Sequence, residues 1–173
     1  MILIADSGST KTTWMEVESG NKVVTEGLNP HFTTEEQFLA ACATVRQQFT
    51  IHNSQFTVIG ATGRREDHTI GNISYLITFA DEHPGADIEM LTDYGRFVAT
   101  TGRRTFASFP RQQVSIFTMT PDIPINAIGL KWTLDGFHAR LWWQATLNEA
   151  LGDSFTLDSE GRIIVFQTYD PKQ

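Results

Sequence analysis

Apolar residues alternate between short strand-like runs and helical spacing along the first half of this chain. Ile2–Ala5 is a short apolar run that ends in small polar residues, Asp6–Thr10. Thr12–Val17 and Lys22–Thr25 read as further strands, and Ser19-Gly20-Asn21 between them predicts a hairpin. The period then lengthens. Phe38, Ala41, Cys42 and Val45 recur on one helical face, after a cap at Thr33 or Thr34 and with Glu35 and Glu36 at the positive end of the dipole; the helix is expected to end near Phe49. Phe56–Gly60 reads as a buried strand. The loop Ala61–Glu66 leads to a second helix over Asp67–Ala80, with Ile70, Ile73, Ile77 and Ala80 at helical spacing and His83-Pro84-Gly85 as its stop. Ile88–Leu91 follows as a strand.

From Tyr94 onward, short segments rich in Val, Ile, Phe, Thr and Trp are separated by Gly, Pro, Asp and Ser. Phe97–Ala99, Thr105–Phe106, Gln113–Phe117, Gly129–Thr133, Ser154–Leu157 and Ile163–Thr168 are predicted strands, the last two linked by a turn at Asp158-Ser159-Glu160-Gly161. Such spacing favours a β-sandwich. The expected fold class is therefore α/β, a truncated or hybrid mixed sheet with two helices, followed by an all-β sandwich. The expected divisions are residues 1–55, 56–93 and 94–173.

The 173 residues suffice for one ordinary domain or two small ones. A formal net charge of −7 argues against general nucleic-acid binding, which needs basic residues facing phosphates. No apolar run approaches the ~20 residues needed to cross a bilayer. The opening MILIADSGST lacks the basic and apolar regions of a secretory signal. Cys42 is the single cysteine, so no intrachain disulfide is expected, and a reducing cytoplasm is the expected location.

Two loops carry candidate chemistry. In Asp6-Ser7-Gly8-Ser9-Thr10-Lys11-Thr12, Gly8 lets backbone N–H groups approach an anion, and Ser9, Thr10 and Lys11 can donate to phosphate oxygens. Asp6 can hold Mg²⁺ through water. A polar hairpin turn with a surface lysine explains the same residues. In Gly60-Ala61-Thr62-Gly63-Arg64-Arg65-Glu66-Asp67-His68, a helix start and two arginines can clamp a phosphate. Asp67 can bind metal or position a hydroxyl, with His68 orienting it. Alternatively, Asp67 is simply the helix cap.

The first of these loops, with Gly27-Leu28-Asn29-Pro30, resembles the opening of actin-like sugar kinases of the BadF/BadG and N-acetylglucosamine kinase branch. That resemblance implies a first phosphate motif formed by Gly8, Ser9, Thr10 and Lys11, though no second phosphate motif or adenosine motif follows. The second resemblance is broader. Gly63-Arg64-Arg65-Glu66-Asp67-His68-Thr69-Ile70-Gly71-Asn72-Ile73 is similar to the GGRxDHxLxNI-type motif of thiamine pyrophosphokinases. The likeness continues through Thr92–Gly95, Ser108–Pro110, Gln112–Phe117, Gly129–Lys131 and Trp142–Glu149.

This resemblance implies transfer of pyrophosphate from ATP to thiamine, with Mg²⁺, in a site shared across a homodimer. Arg64, Arg65 and Asp67 would lie at the phosphate and hydroxyl end, with Asp6 and Asp67 as candidate metal ligands. Trp142, Trp143, Thr146, Asn148 and His68 would bind the vitamin. An indole face suits both the cationic thiazolium and the flat pyrimidine of thiamine. On any strand the two tryptophans would point to opposite sides, one to the core and one to a ligand; both packing in the core is the plainer account. The family's upstream acidic clusters, resembling GDxDS and QDxTD, have no counterpart before Gly60, where Asp6 and glutamates stand. Three readings stay open: a thiamine pyrophosphokinase homologue, a non-catalytic thiamine-binding or dimerisation module, and a fragment of an actin-like sugar kinase or ATPase.

Overall fold

The computed structural model describes residues 3–7, 11–27, 34–48, 55–62, 65–82 and 84–171. For Leu3–Ser7, Glu35, Phe38, Leu39, Cys42, Arg46, Gln55, Phe56 and Pro171 it describes the backbone only. In chain order the elements are β1 (Leu3–Ser7), β2 (Lys11–Glu16), β3 (Lys22–Glu26), α1 (Glu35–Gln48), β4 (Gln55–Ile59), α2 (Glu66–Glu82) and β5 (Asp87–Leu91). Then come β6 (Gly95–Ala107), β7 (Gln112–Thr118), β8 (Pro124–Ile128), β9 (Leu134–His138), β10 (Ala145–Glu149) and β11 (Ser154–Pro171). No helix among the described residues is long and apolar enough to cross a membrane.

The strands form one mixed sheet in the order β10-β7-β11-β6-β5-β4-β1-β2-β3, with β8 on β11 and β9 on β8. Strands β1, β4 and β5 run parallel; the other pairings are antiparallel. Hydrogen bonding passes from β5 to β6, so the sheet continues through residue 93.

Helix α1 starts where Thr34 and Gln37 cap each other: the Thr34 N–H donates to Gln37 Oε1 (2.9 Å) and the Gln37 N–H to Thr34 Oγ1 (3.3 Å). Its buried Val45 packs on Trp14 and Val23. Helix α2 buries Leu76 and Ala80 on Ile88, Met90 and Ala99, with Ile73 and Ile77 alongside. Ile70, expected on that face, is 58% exposed, and Leu76 takes the central place. Register partners share a sheet face. The chain of partners Val23–Trp14–Ala5–Val58–Met90–Phe97 therefore puts both helices on one side. At the C-terminus of α2, Arg162 of β11 donates to the Ala80 carbonyl (3.0 Å) and pairs with Asp81 (2.6 Å), tying the helix to the sandwich.

The sandwich is built on two long strands. β6 and β11 pair over almost their whole length, with an irregularity between Ser159 and Ile163. One half of β11 adds β7 and β10; the other half adds β8 and β9. The two leaves close on a single core that includes Val98, Phe106, Ile116, Ile125, Leu157, Ile163 and Val165.

Four expectations are corrected here. Phe97–Ala99 and Thr105–Phe106 belong to one strand, because β11 pairs with all of it. Asp158–Gly161 is a bulge within β11 rather than a hairpin turn. It is shaped by the close approach of Gly161 to Ile123, whose Cδ1 lies 2.6 Å from where a Cβ would stand. Gly129–Thr133 is no strand: Gly129 has φ +86°, and only Leu130 bridges, to Ala150, between β8 and β9. The tryptophan pair lies on a turn rather than a strand, and the strand next to it is β10.

Candidate functional site

Parallel strands end on the same edge of a sheet, and in open α/β sheets ligands gather at that carboxyl edge. Here Ile59 pairs with Leu91, and Asp6 lies one residue beyond the Ala5–Val58 rung, so β1, β4 and β5 end together. The edge collects the backbone of Asp6, exposed Lys11 at the start of β2, Arg65 and Asp67 after β4, and the turn Thr92–Gly95 after β5. Gly8, Ser9, Thr10 and Arg64 lie outside the described residues, and of Asp6 only the backbone is described.

The turn out of β4 needs Gly60, whose φ is +76°. Asn72 then holds the loop by donating to the Ala61 carbonyl (2.7 Å). Arg65 forks onto Asp67, Nε to Oδ1 at 3.0 Å and Nη2 to Oδ2 at 2.5 Å, with both side chains more than half exposed. The guanidinium, chiefly by hydrogen bonding, holds the Asp67 carboxyl below its ordinary range, and Asp67 in turn raises the Arg65 pKa. Asp67 lies inside α2 and accepts the His68 backbone N–H (2.9 Å), so Arg65, not Asp67, stands before the first helical residue. Thr69 bonds back to the Arg65 carbonyl through both its N–H (3.2 Å) and its hydroxyl (3.1 Å). An anion at this helix start would have to displace the Asp67 carboxylate from the Arg65 fork.

The other candidate residues lie on β10 and the turn before it. Gln144 organises that turn: its Oε1 accepts the N–H groups of Arg140 (2.7 Å) and Leu141 (2.9 Å). Trp142 and Trp143 are 50% and 52% exposed, and their carbonyls accept the N–H groups of Thr118 and Thr146. Trp142 stacks on Phe117 at 5.5 Å and 27°. The aromatic row continues from Phe117 to Phe97 (6.5 Å) and from Phe97 to Phe166 (4.5 Å), on the helix-bearing face. Next to it, Leu147 is 81% exposed at φ +62°, an uncommon conformation for leucine, with its N–H on Ser115 Oγ (3.1 Å). Asn148 points elsewhere. It is buried, its Oδ1 accepts the Trp132 N–H (3.0 Å) and its Nδ2 donates to the Trp132 carbonyl (2.8 Å).

Residues 95–166 match the family described as thiamin pyrophosphokinase, substrate-binding domain. The Bacillus subtilis thiamine pyrophosphokinase superposes with a TM-score of 0.64 at 19% identity, over 78% of this chain and 63% of that one. The Candida albicans thiamin pyrophosphokinase gives 0.65 at 16%, over 81% and 55%. The Geobacillus thermodenitrificans enzyme gives 0.57 at 23%, over 80% and 63%. No curated protein matches.

The thiamin pyrophosphokinase-like fold thus extends through more of the chain than the stretch after residue 55 can supply, while the chain spans less than two thirds of the length of these structures. The actin-like resemblance of residues 1–55 finds no support in these comparisons.

Within one copy of this fold the two groups of candidates stand apart. Thr118, bonded to Trp142, is on the rung of Ile163 and Thr100; Leu91, at the carboxyl edge, is on the rung of Arg96 and Gln167. From β7 to β4 is about 19 Å across the strands, and from Thr100 to Arg96 about 13 Å along them. Helix α2 lies between. A thiamin pyrophosphokinase-like site would also need divalent metal, and the described residues do not fit one. No three His, Cys, Asp or Glu side chains gather among them, and the Asp67 carboxylate is held by Arg65. Sequence reasoning missed Phe117, Gln144 and Leu147. In Gln113–Phe117 alternation sends Val114 and Ile116 inward and Gln113, Ser115 and Phe117 outward, so Phe117 stands as the one apolar residue of a polar face, the signal that could have marked it.

Proposed function

We propose that this chain binds thiamine at the Trp142–Phe117 end of its sandwich and serves a thiamine pyrophosphokinase-type transfer. In that reaction the pyrophosphate of ATP passes to the hydroxyethyl oxygen of thiamine and AMP leaves. The observation that carries the reading is the coincidence of an exposed, stacked tryptophan with the segment matching the family's substrate-binding domain. A thiazolium cation gains from the indole face, and the aminopyrimidine from stacking. Arg65, with Arg64 and Lys11, takes phosphate oxygens, and Asp67, released from Arg65 as phosphate binds, orients the attacking hydroxyl. Magnesium would screen the phosphates when bound; no step is drawn through it, because its ligands are not found among the described residues. The separation of the two ends supports a site completed by two copies, one giving the aromatic end and the other the phosphate end.

A second reading, a thiamine-binding module without turnover, is favoured by the commitment of Asp67 to Arg65 and by the lack of a metal-holding cluster among the described residues. Purified protein given thiamine, ATP and Mg²⁺, with product read by chromatography, separates the two. Thiamine diphosphate above a no-enzyme control, lost in Asp67→Ala, supports transfer. Saturable thiamine binding without product supports the module. In either case Trp142→Ala or Trp143→Ala is expected to weaken binding by roughly 0.5–2 kcal/mol. If thiamine does not bind at all, both readings fall.

A further inference from the structure

We infer that β3 is an association edge at which a second copy of this chain adds antiparallel, about a two-fold axis at Val24. β3 ends the strand order, and among the described residues nothing pairs with its outer side. Which of its backbone groups face outward follows from the hairpin. The Glu16 N–H donates to the Asn21 carbonyl (3.0 Å), and rungs of an antiparallel ladder alternate between bonded and non-bonded. Counting along the register from that rung, Trp14–Val23 and Thr12–Thr25 are the bonded rungs. Lys22, Val24 and Glu26 therefore turn their N–H and C=O groups to the free edge. The Thr25 hydroxyl reaches the Glu26 carbonyl (3.2 Å), which keeps a second lone pair for a partner strand.

The side chains make this edge self-complementary. Lys22, Val24 and Glu26 are exposed, Val24 by 60%, on the sheet face that carries neither helix. Lys22 and Glu26 form no ion pair with the described residues. A lysine alone on an edge repels another copy. Here a residue of opposite sign stands at the same distance on the other side of Val24. Antiparallel pairing centred there puts Val24 against Val24, and each Lys22 against Glu26 of the second copy, in bonded rungs with side chains on one face. The second copy is the occupant this pattern fits, since a two-fold interface must be complementary to itself. The contact is separate from any through the Trp142 end, because β3 and β10 lie at opposite ends of the strand order.

The test is sedimentation equilibrium of the full chain, with far-UV circular dichroism to follow the fold. Lys22→Glu sets acid against acid in both charged rungs, and at least about a tenfold weaker self-association is expected. The double variant K22E/E26K restores the complementarity and is expected to return within about threefold of wild type. Val24→Pro removes an outward N–H while leaving the rungs to β2 intact, and is expected to halve the associated mass. The inference is overturned if the wild-type mass equals that of V24P at every concentration. It is equally overturned if K22E and K22E/E26K associate alike.

Discussion

Removing the Asn148 amide tests whether that side chain serves the chain or a ligand. Asn148 is 2% exposed and makes three contacts: from the Trp132 N–H at 3.0 Å, to the Trp132 carbonyl at 2.8 Å, and from the Glu149 N–H at 2.9 Å. A net hydrogen bond is worth about 1 kcal/mol, and orphaned buried groups cost more. Trp132 is itself 63% exposed, so water partly recovers its peptide. Asn148→Ala is thus expected to destabilise the fold by about 2–3 kcal/mol, which for a domain of this size lowers Tm by about 5–10 °C. Asn148→Asp keeps the Oδ1 acceptor but replaces the donor with a buried carboxylate oxygen facing the Trp132 carbonyl, so it is expected to be at least as destabilising as alanine. The assay is urea unfolding followed by circular dichroism, with thiamine binding measured on the still-folded protein. A wild-type urea midpoint in Asn148→Ala, together with weakened thiamine binding, would refute the clamp and return Asn148 to the ligand-contact role expected from the sequence.

Gly95→Ala is expected to cost roughly 3 kcal/mol, read as a lowered urea midpoint. Its Cβ would meet the Gln167 carbonyl and come within 2.7 Å of the Phe166 ring. For Asp67, the Arg65 pair lowers the folded-state pKa. Its small contribution is therefore present above the unfolded carboxylate pKa and is lost as pH falls through the folded value. Carbon-detected NMR titration should find Asp67 below the ordinary range, and Arg65→Gln should return it there. Arg162→Ala removes the cap on Ala80 and the pair with Asp81, at about 1 kcal/mol. Hydrogen exchange should then quicken in the last turn of α2 and leave its first turn unchanged.

The front half was legible because its signals are local. Apolar periodicity found both helices, and the Ser19-Gly20-Asn21 turn found the β2–β3 hairpin. The sandwich was harder for a physical reason. Gly161 and the acidic residues before it suggest a turn by composition, yet the partner strand β6 runs unbroken beside them and turns the irregularity into a bulge. The tryptophans invited a strand reading, whereas Gln144 spends its carbonyl on the N–H groups of Arg140 and Leu141 and makes a turn there. Arg65 and Asp67 were candidates by motif alone. Their mutual pairing depends on side-chain geometry that spacing does not encode.

The shared strand β11 also orders events as the chain folds. Gly95 pairs with Thr168, and between them lie all the other strands of the sandwich. A loop of about fifty residues, from Ala107 to Ser154 at the least, must close before β11 joins β6. Until β11 arrives, β6 and β7 have no strand to join them, and neither leaf has a middle. The hairpin β1–β2–β3 and the α1 contact need no such wait. The front half is therefore expected to gain structure in the submillisecond range and the sandwich far more slowly, so that the aromatic end is the last part of the molecule to become competent.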